Sequence, residues 1–228
     1  MHAGHETAIR FFKHTSSTYD RVVRLTTFGQ DAVWKSVMLR FIPEGDYTAL
    51  DLACGTGILT LALRGKVSRV YGLDLMYNSL VIADSKARNL NYDIALLNAA
   101  AEFIPLRDGT VDIITASYLA KYCDIEKVVM ECKRLLRSGG IVVMHDFTYP
   151  RGTMRYLWHA YFMLLRLLGR FMHEWRSVFN ELDKVIVERR CWVTELIDAL
   201  NKHGFKDVGC INLTLGTAAV VYARKASM

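Results

Sequence analysis

Short apolar runs alternate with helical patterns through the middle of the chain, from Tyr47 to Phe147. Each run has the length of a buried strand, and the stretches between them carry apolar residues at helical spacing. This alternation predicts an α/β fold in which a parallel sheet has helices on both faces. The predicted strands lie near residues 48–52, 69–73, 93–98, 112–117 and 140–147, and the predicted helices near 57–64, 78–89 and 124–137.

Glycines punctuate the second half of this pattern. Ser138-Gly139-Gly140 is interpreted as the end of the 124–137 helix, because glycine readily adopts the left-handed conformation of a helix cap. Two β-rich runs follow, Lys206–Leu213 and Ala218–Arg224, with too few residues between them for a crossover helix. We expect them to pair as an antiparallel hairpin around Gly216, which completes seven strands.

Helical stretches also lie outside the alternating pattern, at residues 7–40, at 192–203 and, as one long helix, at 151–176. In the long helix, basic residues recur at spacings of three, four and seven, so they share one face opposite an aromatic-rich apolar face. Such a helix is typical of a membrane interface or of a cover over a greasy substrate, although a core helix with a solvated basic edge has the same pattern. The basic residues are Arg155, His159, Arg166, Arg170 and His173.

Composition and charge indicate the number of domains, the kind of binding surface and the cellular location. The 228 residues, of which 52% are hydrophobic, suit one domain with a full core. A net charge of +6 suits an anionic surface, either nucleic acid or lipid headgroups, without choosing between them. Five scattered cysteines without Cys-x-x-Cys spacing indicate neither disulfides nor a metal site, and a cytoplasmic location fits best. The N-terminus has no signal-peptide core, and no run is long and uncharged enough to span a bilayer.

The chemistry is concentrated at the end of the first strand. The run Thr48–Leu52 leads into Ala53-Cys54-Gly55-Thr56-Gly57, just before a helix, so backbone N–H groups can approach a ligand closely. Asp51 lies within the first strand, and Asp74 ends the next one, at the spacing of an acid that holds ribose hydroxyls. A nucleoside ligand is indicated, but not NAD, because Thr60 stands where the third glycine of that fingerprint belongs.

The acid, the Gly-x-Gly turn and the second acid resemble the class I methyltransferase pattern that holds S-adenosylmethionine. More specific landmarks resemble the menaquinone/ubiquinone biosynthesis C-methyltransferase family, which methylates a polyprenylated quinol ring. This resemblance implies a Rossmann-like, seven-stranded sheet. The landmarks are Tyr19-Asp20, Thr27-Phe28-Gly29, Trp34-Lys35, Ala101–Pro105, Asp112–Ser117, Arg134–Gly140, Asp146–Pro150, Gly204-Phe205 and Asn212-Leu213-Thr214.

The resemblance also implies roles for individual residues. Thr56 and its flanking glycines should line the methionine end of the cofactor, Asp74 should bind the ribose, and Ser117 should lie beneath the sulfonium. Ala100 stands where the family has Asp or Asn, so adenine selectivity is expected from backbone groups or from Glu102. The full set of predicted cofactor residues is Asp51, Ala53, Gly55, Thr56, Gly57, Asp74, Leu75, Ala100, Ala101, Glu102 and Ser117.

Departures from the family occur where the reaction would take place. The family has Phe-Gly-Leu-Arg-Asn after Ser117, whereas this chain has Tyr118-Leu119-Ala120-Lys121-Tyr122. Methylation of a ring carbon requires the neighbouring hydroxyl to lose its proton, and a base of suitable pKa assists. Lys121 is therefore a candidate to stabilise a phenolate or act as base, and His145 beside Asp146 is a second candidate. Tyr19 of the Tyr-Asp landmark completes the predicted catalytic set.

The predicted organisation is a single domain over residues 1–228. It divides into a helical lid (1–40), a cofactor-binding core (45–150), a helical substrate cap (151–200) and the hairpin (204–228). The expected substrate is a lipophilic quinol, with membrane contact through 151–176 and pairing as a homodimer left open. Methylation of another small molecule or of RNA is the alternative, and RNA is disfavoured because Ser117-Tyr118-Leu119-Ala120 replaces the usual Asn/Asp-Pro-Pro-aromatic turn.

Overall fold

A computed structural model describes residues 3–227. Met1, His2 and Met228, the outermost residues of the predicted domain, lid and hairpin, lie outside the described residues. The helices are α1 (Ala3–Phe12), α2 (Tyr19–Thr26), α3 (Gln30–Leu39), α4 (Ile58–Arg64), α5 (Tyr77–Asn89), α6 (Ile125–Leu135), α7 (Met154–Leu168), α8 (Arg176–Glu188) and α9 (Trp192–Lys202). The strands are β1 (Gly45–Leu52), β2 (Val67–Asp74), β3 (Ala95–Asn98), β4 (Val111–Ser117), β5 (Leu136–Phe147), β6 (Phe205–Leu213) and β7 (Ala218–Lys225).

The seven strands form one sheet in the order β3-β2-β1-β4-β5-β7-β6. The first five strands run parallel, and β7 pairs antiparallel with both β5 and β6. This confirms the predicted sheet and its final hairpin. The order reverses at β1, so the carboxyl ends of β1, β2 and β4 open onto the crevice where α/β sheets bind ligands.

Successive residues of the central strands point to opposite faces of the sheet, and both faces are covered. On one face, Leu50 and Ile114 pack in a core that includes residues of α6 and α9. On the other face, Ala49 and Ile113 pack against Met38 of α3 and against α4. Because both faces are covered, the central strands have continuous buried stretches instead of alternating buried and exposed residues.

A third apolar cluster lies outside the sheet and joins the N-terminal lid helices to the helices of the predicted cap. It contains Phe11 of α1, Val22 of α2, Trp158 of α7 and Phe179 of α8. Chain segments separated by more than a hundred residues therefore build one helical layer over the carboxyl end of the sheet.

The prediction of one long helix over residues 151–176 is wrong. The helix α7 ends at Leu168, and α8 begins at Arg176 after a short 3-10 turn. Gly169 follows the end of α7, and a Cβ added there would lie 3.3 Å from the Cβ of Phe179, so the missing side chain allows close approach of α8. Arg170 and His173 consequently lie beyond α7, and the predicted basic face is interrupted.

The interpretation of Ser138-Gly139-Gly140 as a helix end is also wrong. The helix α6 ends earlier, at Leu135, and the glycines lie within β5. Gly139 has a φ of 74°, and the pairing of β5 with β4 jumps from Leu136 to Ile141 across this point. The left-handed glycine therefore makes a bulge in the strand, which serves the same conformational need in a different element.

Candidate active site

The turn after β1 follows an unusual backbone path. Ala53, Gly55 and Gly57 have φ values of 53°, 54° and 84°. A Cβ at Gly55 would face open space, whereas one at Gly57 would lie 3.0 Å from the Cβ of Ala83 in α5. The first glycine thus leaves the backbone accessible, and the second permits close packing of α5.

Asp74 at the end of β2 holds this turn in place. Its two carboxylate oxygens accept hydrogen bonds from the backbone N–H groups of Gly55 and Met76, both at 2.7 Å. Burial raises the pKa of Asp74, and these two hydrogen bonds oppose the shift. The carboxylate is therefore fixed beside the glycine turn and lines the cleft above it.

Asp51 lies deeper, within β1. Its oxygens accept hydrogen bonds from the hydroxyls of Thr60 and Thr115, both at 2.7 Å. Burial raises the pKa of Asp51 to about 6, although the two hydroxyls lower it. Through these bonds Asp51 links β1 to α4 and β4. It therefore has a structural role beneath the turn, and it also lies next to the cleft.

The predicted landmark Tyr19-Asp20 reaches the same turn from α2. The hydroxyl of Thr56 donates to Asp20 at 2.5 Å, and Lys86 of α5 forms an ion pair with Asp20. Lys86 also donates to the carbonyl oxygen of Thr56 at 3.0 Å. The helical lid is thereby attached directly to the glycine turn.

A cleft of about 780 Å³, including its open mouth, lies over the turn. Its floor comes from the carboxyl ends of β1, β2 and β4, and its roof from α1 and the start of α2. Gly57 and Ala100 do not line this cleft, and Asp51 borders a smaller pocket beneath it. The predicted cofactor residues that line it are Ala53, Gly55, Thr56, Asp74, Leu75, Ala101, Glu102 and Ser117.

The carboxylate of Glu102 forms hydrogen bonds with two other parts of the chain. His5 of α1 lies 2.9 Å from one carboxylate oxygen and 3.0 Å from the other, and the backbone N–H of Asp124 donates to the first. A Cβ at Gly4 would lie 2.3 Å from the carbonyl oxygen of Tyr122. The beginning of α1 therefore closes one end of the cleft through direct contacts with the loop after β4.

A second, larger cavity of about 1300 Å³, including the space at its opening, adjoins the cleft, and its wall is almost entirely apolar. It lies between the lid helices and α7 and α8, with Trp158, Tyr161 and Phe162 on one side. Of the residues that separate the two spaces, only Tyr19 was predicted from the sequence as a site residue. Four aromatic side chains line both of them: Phe12, Tyr19, Tyr118 and Tyr122.

Lys121 and Asp146 supply charge to the apolar cavity. They form an ion pair, with exposed fractions of only 3% and 1%. Lys121 also donates to the carbonyl oxygen of Phe147 at 3.1 Å, whereas Oδ2 of Asp146 has no hydrogen-bond partner among the described residues. Burial lowers the pKa of Lys121 and raises that of Asp146, and their mutual attraction opposes both shifts. The pair is the charged group that a molecule in this cavity meets.

His145 is enclosed behind the cleft. Its Nδ1 lies 3.0 Å from the hydroxyl oxygen of Ser117, and its Nε2 has no partner among the described residues. Burial, followed by the charges of Lys35 and Lys121, keeps the pKa of His145 well below its usual value, so the ring is neutral. His145 borders neither cavity and reaches the cleft through Ser117.

Tyr19 and Tyr118 stand between the two spaces. Burial is the main reason that the pKa of each phenol lies well above its usual value, so both hydroxyls stay protonated. The Tyr118 hydroxyl donates to Asp31 at 2.8 Å, and Lys35 forms an ion pair with the same carboxylate. The Trp-Lys landmark pointed to Lys35, but no pattern pointed to Asp31.

Comparisons with known proteins agree with this geometry. Residues 1–225 match the model of the ubiE/COQ5 methyltransferase family. A demethylmenaquinone methyltransferase of Lactobacillus johnsonii is 31% identical over 95% of this chain and 92% of its own. A ubiquinone/menaquinone biosynthesis C-methyltransferase of Campylobacter jejuni is 26% identical over 96% and 98%.

Solved structures show the same fold at lower identity. A SAM-dependent methyltransferase from Aquifex aeolicus superposes with a TM-score of 0.61 at 20% identity, over 92% of this chain and 97% of that one. Geranyl diphosphate C-methyltransferase from Streptomyces coelicolor, solved with S-adenosyl-L-homocysteine, gives 0.62 at 15%, over 86% and 76%. The family match over residues 1–225 confirms the predicted resemblance and establishes that this chain belongs to the ubiE/COQ5 methyltransferase family.

Proposed function

We propose that the protein transfers a methyl group from S-adenosylmethionine to a ring carbon of a lipophilic quinone precursor, a demethylmenaquinol-like molecule. One observation carries this proposal: an apolar cavity of about 1300 Å³ adjoins the cofactor cleft and contains the buried Lys121–Asp146 pair. Apolar pockets with a few convergent polar groups are typical of small-molecule sites. The names of the relatives, demethylmenaquinone methyltransferases, support the same substrate class.

The residues that line the cleft suit the chemistry of the proposed cofactor. Its lining combines apolar side chains with a few polar groups, as is usual for small-molecule pockets. Asp74 would hold the ribose hydroxyls, the accessible backbone at Gly55 and Thr56 would face the methionine end, and Ala101 and Glu102 would border the adenine. When bound, S-adenosylmethionine supplies an electrophilic methyl group.

Asp146 and Lys121 would act on the acceptor. We assign the free Oδ2 of Asp146 to accept the proton of the acceptor hydroxyl, because a buried carboxylate oxygen without a partner is a strong hydrogen-bond acceptor. The raised pKa of Asp146 makes it a better base than an exposed carboxylate. Lys121 would stabilise the resulting phenolate, whose negative charge makes the adjacent ring carbon nucleophilic. That carbon would gain the methyl group, with S-adenosylhomocysteine as the leaving group, and would then lose its ring proton to solvent as the ring becomes aromatic again.

Tyr19 and His145 would have supporting roles. Tyr19 lines both spaces and stacks on Trp175, with 6.0 Å between ring centroids, so it would orient the acceptor ring. His145 would hold the Ser117 hydroxyl in one orientation, since it contacts Ser117 and borders neither space. Both are positioning residues in this scheme, not bases.

Membrane contact is the second part of the proposal. Tyr156, Leu157 and Phe171 are exposed on α7 and the turn that follows it. No helix among the described residues is long and apolar enough to cross a bilayer. Contact would therefore be at the surface, where an exposed aromatic face is stable. The cytoplasmic location and the homodimer stay predictions, and the mass of the protein in solution tests the latter.

Two measurements test the proposal together. Calorimetry with S-adenosylmethionine should show binding that is at least about tenfold weaker in Asp74→Asn, with Asp93→Asn at an exposed position as the control. Methyl transfer should occur with a short-tailed demethylmenaquinol and not with a soluble amine. Cofactor binding without turnover of any quinol would contradict the acceptor and retain the cofactor.

A further inference from the structure

A basic groove lies on the outside of the helical layer. It is lined by Arg151 and Arg155 at the start of α7, by Arg190 between α8 and α9, and by residues of β6. These segments are distant in sequence, and the fold brings them together. The groove encloses about 1950 Å³, including the space at its open side, so it is accessible from the surface.

The positive charge of this groove is not balanced by acidic residues. Among residues 3–227, none of the three arginines forms an ion pair, and no Asp or Glu lines the groove. Neighbouring arginines differ, since Arg166 pairs with Asp183 and Arg189 with Glu195. Arg155 and Arg190 each donate one hydrogen bond to a backbone carbonyl oxygen, at 3.4 Å, and their other N–H groups have no such bond among residues 3–227. Three guanidinium groups without an acidic partner favour phosphate, whose oxygens match their paired N–H donors.

The groove adjoins the mouth of the apolar cavity. In the first turn of α7, Arg155 lines the groove, whereas Met154 and Leu157 line the cavity. Leu157 is 66% exposed and Tyr156 77% exposed, so apolar surface is open to solvent beside the arginines. Phe28, which is 78% exposed, also borders the cavity from the lid.

We infer that this groove binds the phosphate groups of an anionic phospholipid bilayer and so holds the mouth of the apolar cavity against the membrane. The inference rests on the proposed function, because only a lipophilic acceptor needs such an entrance. In this orientation the exposed side chains enter the acyl boundary while the guanidinium groups lie at the depth of the headgroups. The phosphates of a bound nucleic acid would pair with the arginines, but the adjacent apolar side chains would remain in water.

The test compares two triple variants that lose the same charge. One is Arg151→Ala/Arg155→Ala/Arg190→Ala, and the control is Arg69→Ala/Arg88→Ala/Arg107→Ala, which removes exposed arginines elsewhere. Sedimentation with phosphatidylglycerol-containing vesicles should show binding roughly 100-fold weaker for the groove variant, since each of the three basic residues near an anionic surface contributes about fivefold. The control should change much less, and pure phosphatidylcholine vesicles should bind weakly in every case.

Equal binding of the two triple variants to anionic vesicles would overturn the inference. The inference would also be overturned if the wild type bound duplex RNA and the groove variant lost RNA binding but kept vesicle binding. Binding of inorganic phosphate by the wild type but not by the groove variant, together with equal vesicle binding of the two proteins, would assign the groove to free phosphate and overturn the bilayer.

Activity separates this inference from the proposed function. The groove variant should methylate a short-tailed demethylmenaquinol in solution at the wild-type rate and a long-tailed quinol in anionic vesicles at least about tenfold more slowly. Equal slowing in both assays would contradict docking. If the wild type methylated no quinol at all, the proposed function would fail, and vesicle binding would still report on the groove.

Discussion

The hydroxyl of Tyr118 donates a hydrogen bond of 2.8 Å to Asp31, joining the loop after β4 to α3. The Tyr118 ring stacks on Phe147 at 4.8 Å and lines both the cofactor cleft and the apolar cavity. Tyr118 has a φ of 63°, a conformation that a bulky residue adopts only when its surroundings hold it there. The bond to Asp31 is one of the contacts that fix the wall between methyl donor and acceptor.

Tyr118→Phe keeps the ring and removes this bond. We expect the free energy of unfolding to fall by about 1.5–3 kcal/mol, because a hydrogen bond to a buried charged group is lost. The cofactor affinity should change little, whereas turnover should decrease because the wall is less firmly positioned. Urea unfolding and steady-state kinetics measure the two effects. Tyr77→Phe, at an exposed position, is the control, and equal stability of both variants would contradict the role of the bond.

The Lys121–Asp146 pair allows a distinction between structure and chemistry. Lys121→Met and Asp146→Asn each leave a buried group unpaired, so each should lower the free energy of unfolding by about 3–5 kcal/mol. The double variant should recover much of that loss, because neither charge remains. Methyl transfer should nevertheless be lost in all three. Recovery of activity along with stability in the double variant would show that the pair only supports the fold.

Because of Asp51, the free energy of unfolding should decrease as pH rises, which is the reverse of the usual effect of a carboxylate. Its pKa is raised to about 6 in the folded protein, against about 3.9 in an unfolded chain. Between pH 4 and 6 the folded protein therefore binds a proton that the unfolded chain has released, and stability falls as pH rises through this window. Above about pH 6 this loss of stability is complete and no longer changes with pH.

The Asp51→Asn variant should lack that loss. Between about pH 4 and pH 7 the wild type should lose about 3 kcal/mol more than the variant, measured by urea unfolding without cofactor. Asp93→Asn, at an exposed position, gives the background from the other titrating groups. Parallel curves for the wild type and Asp51→Asn would contradict the raised pKa.

The N-terminal helix should control exchange of the cofactor. Gly4→Ala places a methyl group 2.3 Å from the Tyr122 carbonyl oxygen, so α1 must move away from the end of the cleft. Release of S-adenosylhomocysteine should become faster on the order of tenfold, equivalent to about 1.4 kcal/mol. Glu6→Ala, which is exposed in the same helix, is the control for stopped-flow measurements. Unchanged release in Gly4→Ala would mean that α1 does not close the cleft.

Most of the fold and the outline of the cofactor site could be predicted because local patterns encode them. The apolar runs of the strands follow from burial on both faces, and the left-handed turn at Gly55 and Gly57 needs residues without side chains. Asp74 was identified because it ends a strand at the carboxyl edge, where parallel strands place their ligands. The Ser138–Gly140 error has the same origin, since a left-handed glycine is common to helix caps and strand bulges.

The sequence by itself determined the sheet, its turn and its two acids, because these depend on periodicity and on residues a few positions apart. Only the tertiary structure decided what the helices do. Gly169 ends α7 and allows α8 to fold back, which no helical periodicity could indicate. Burial turned Lys121 and Asp146 from strand-end polar residues into an enclosed pair, and contacts across the fold gave Tyr118 its partner Asp31. Such contacts join residues far apart in the chain, so only packing brings them within reach.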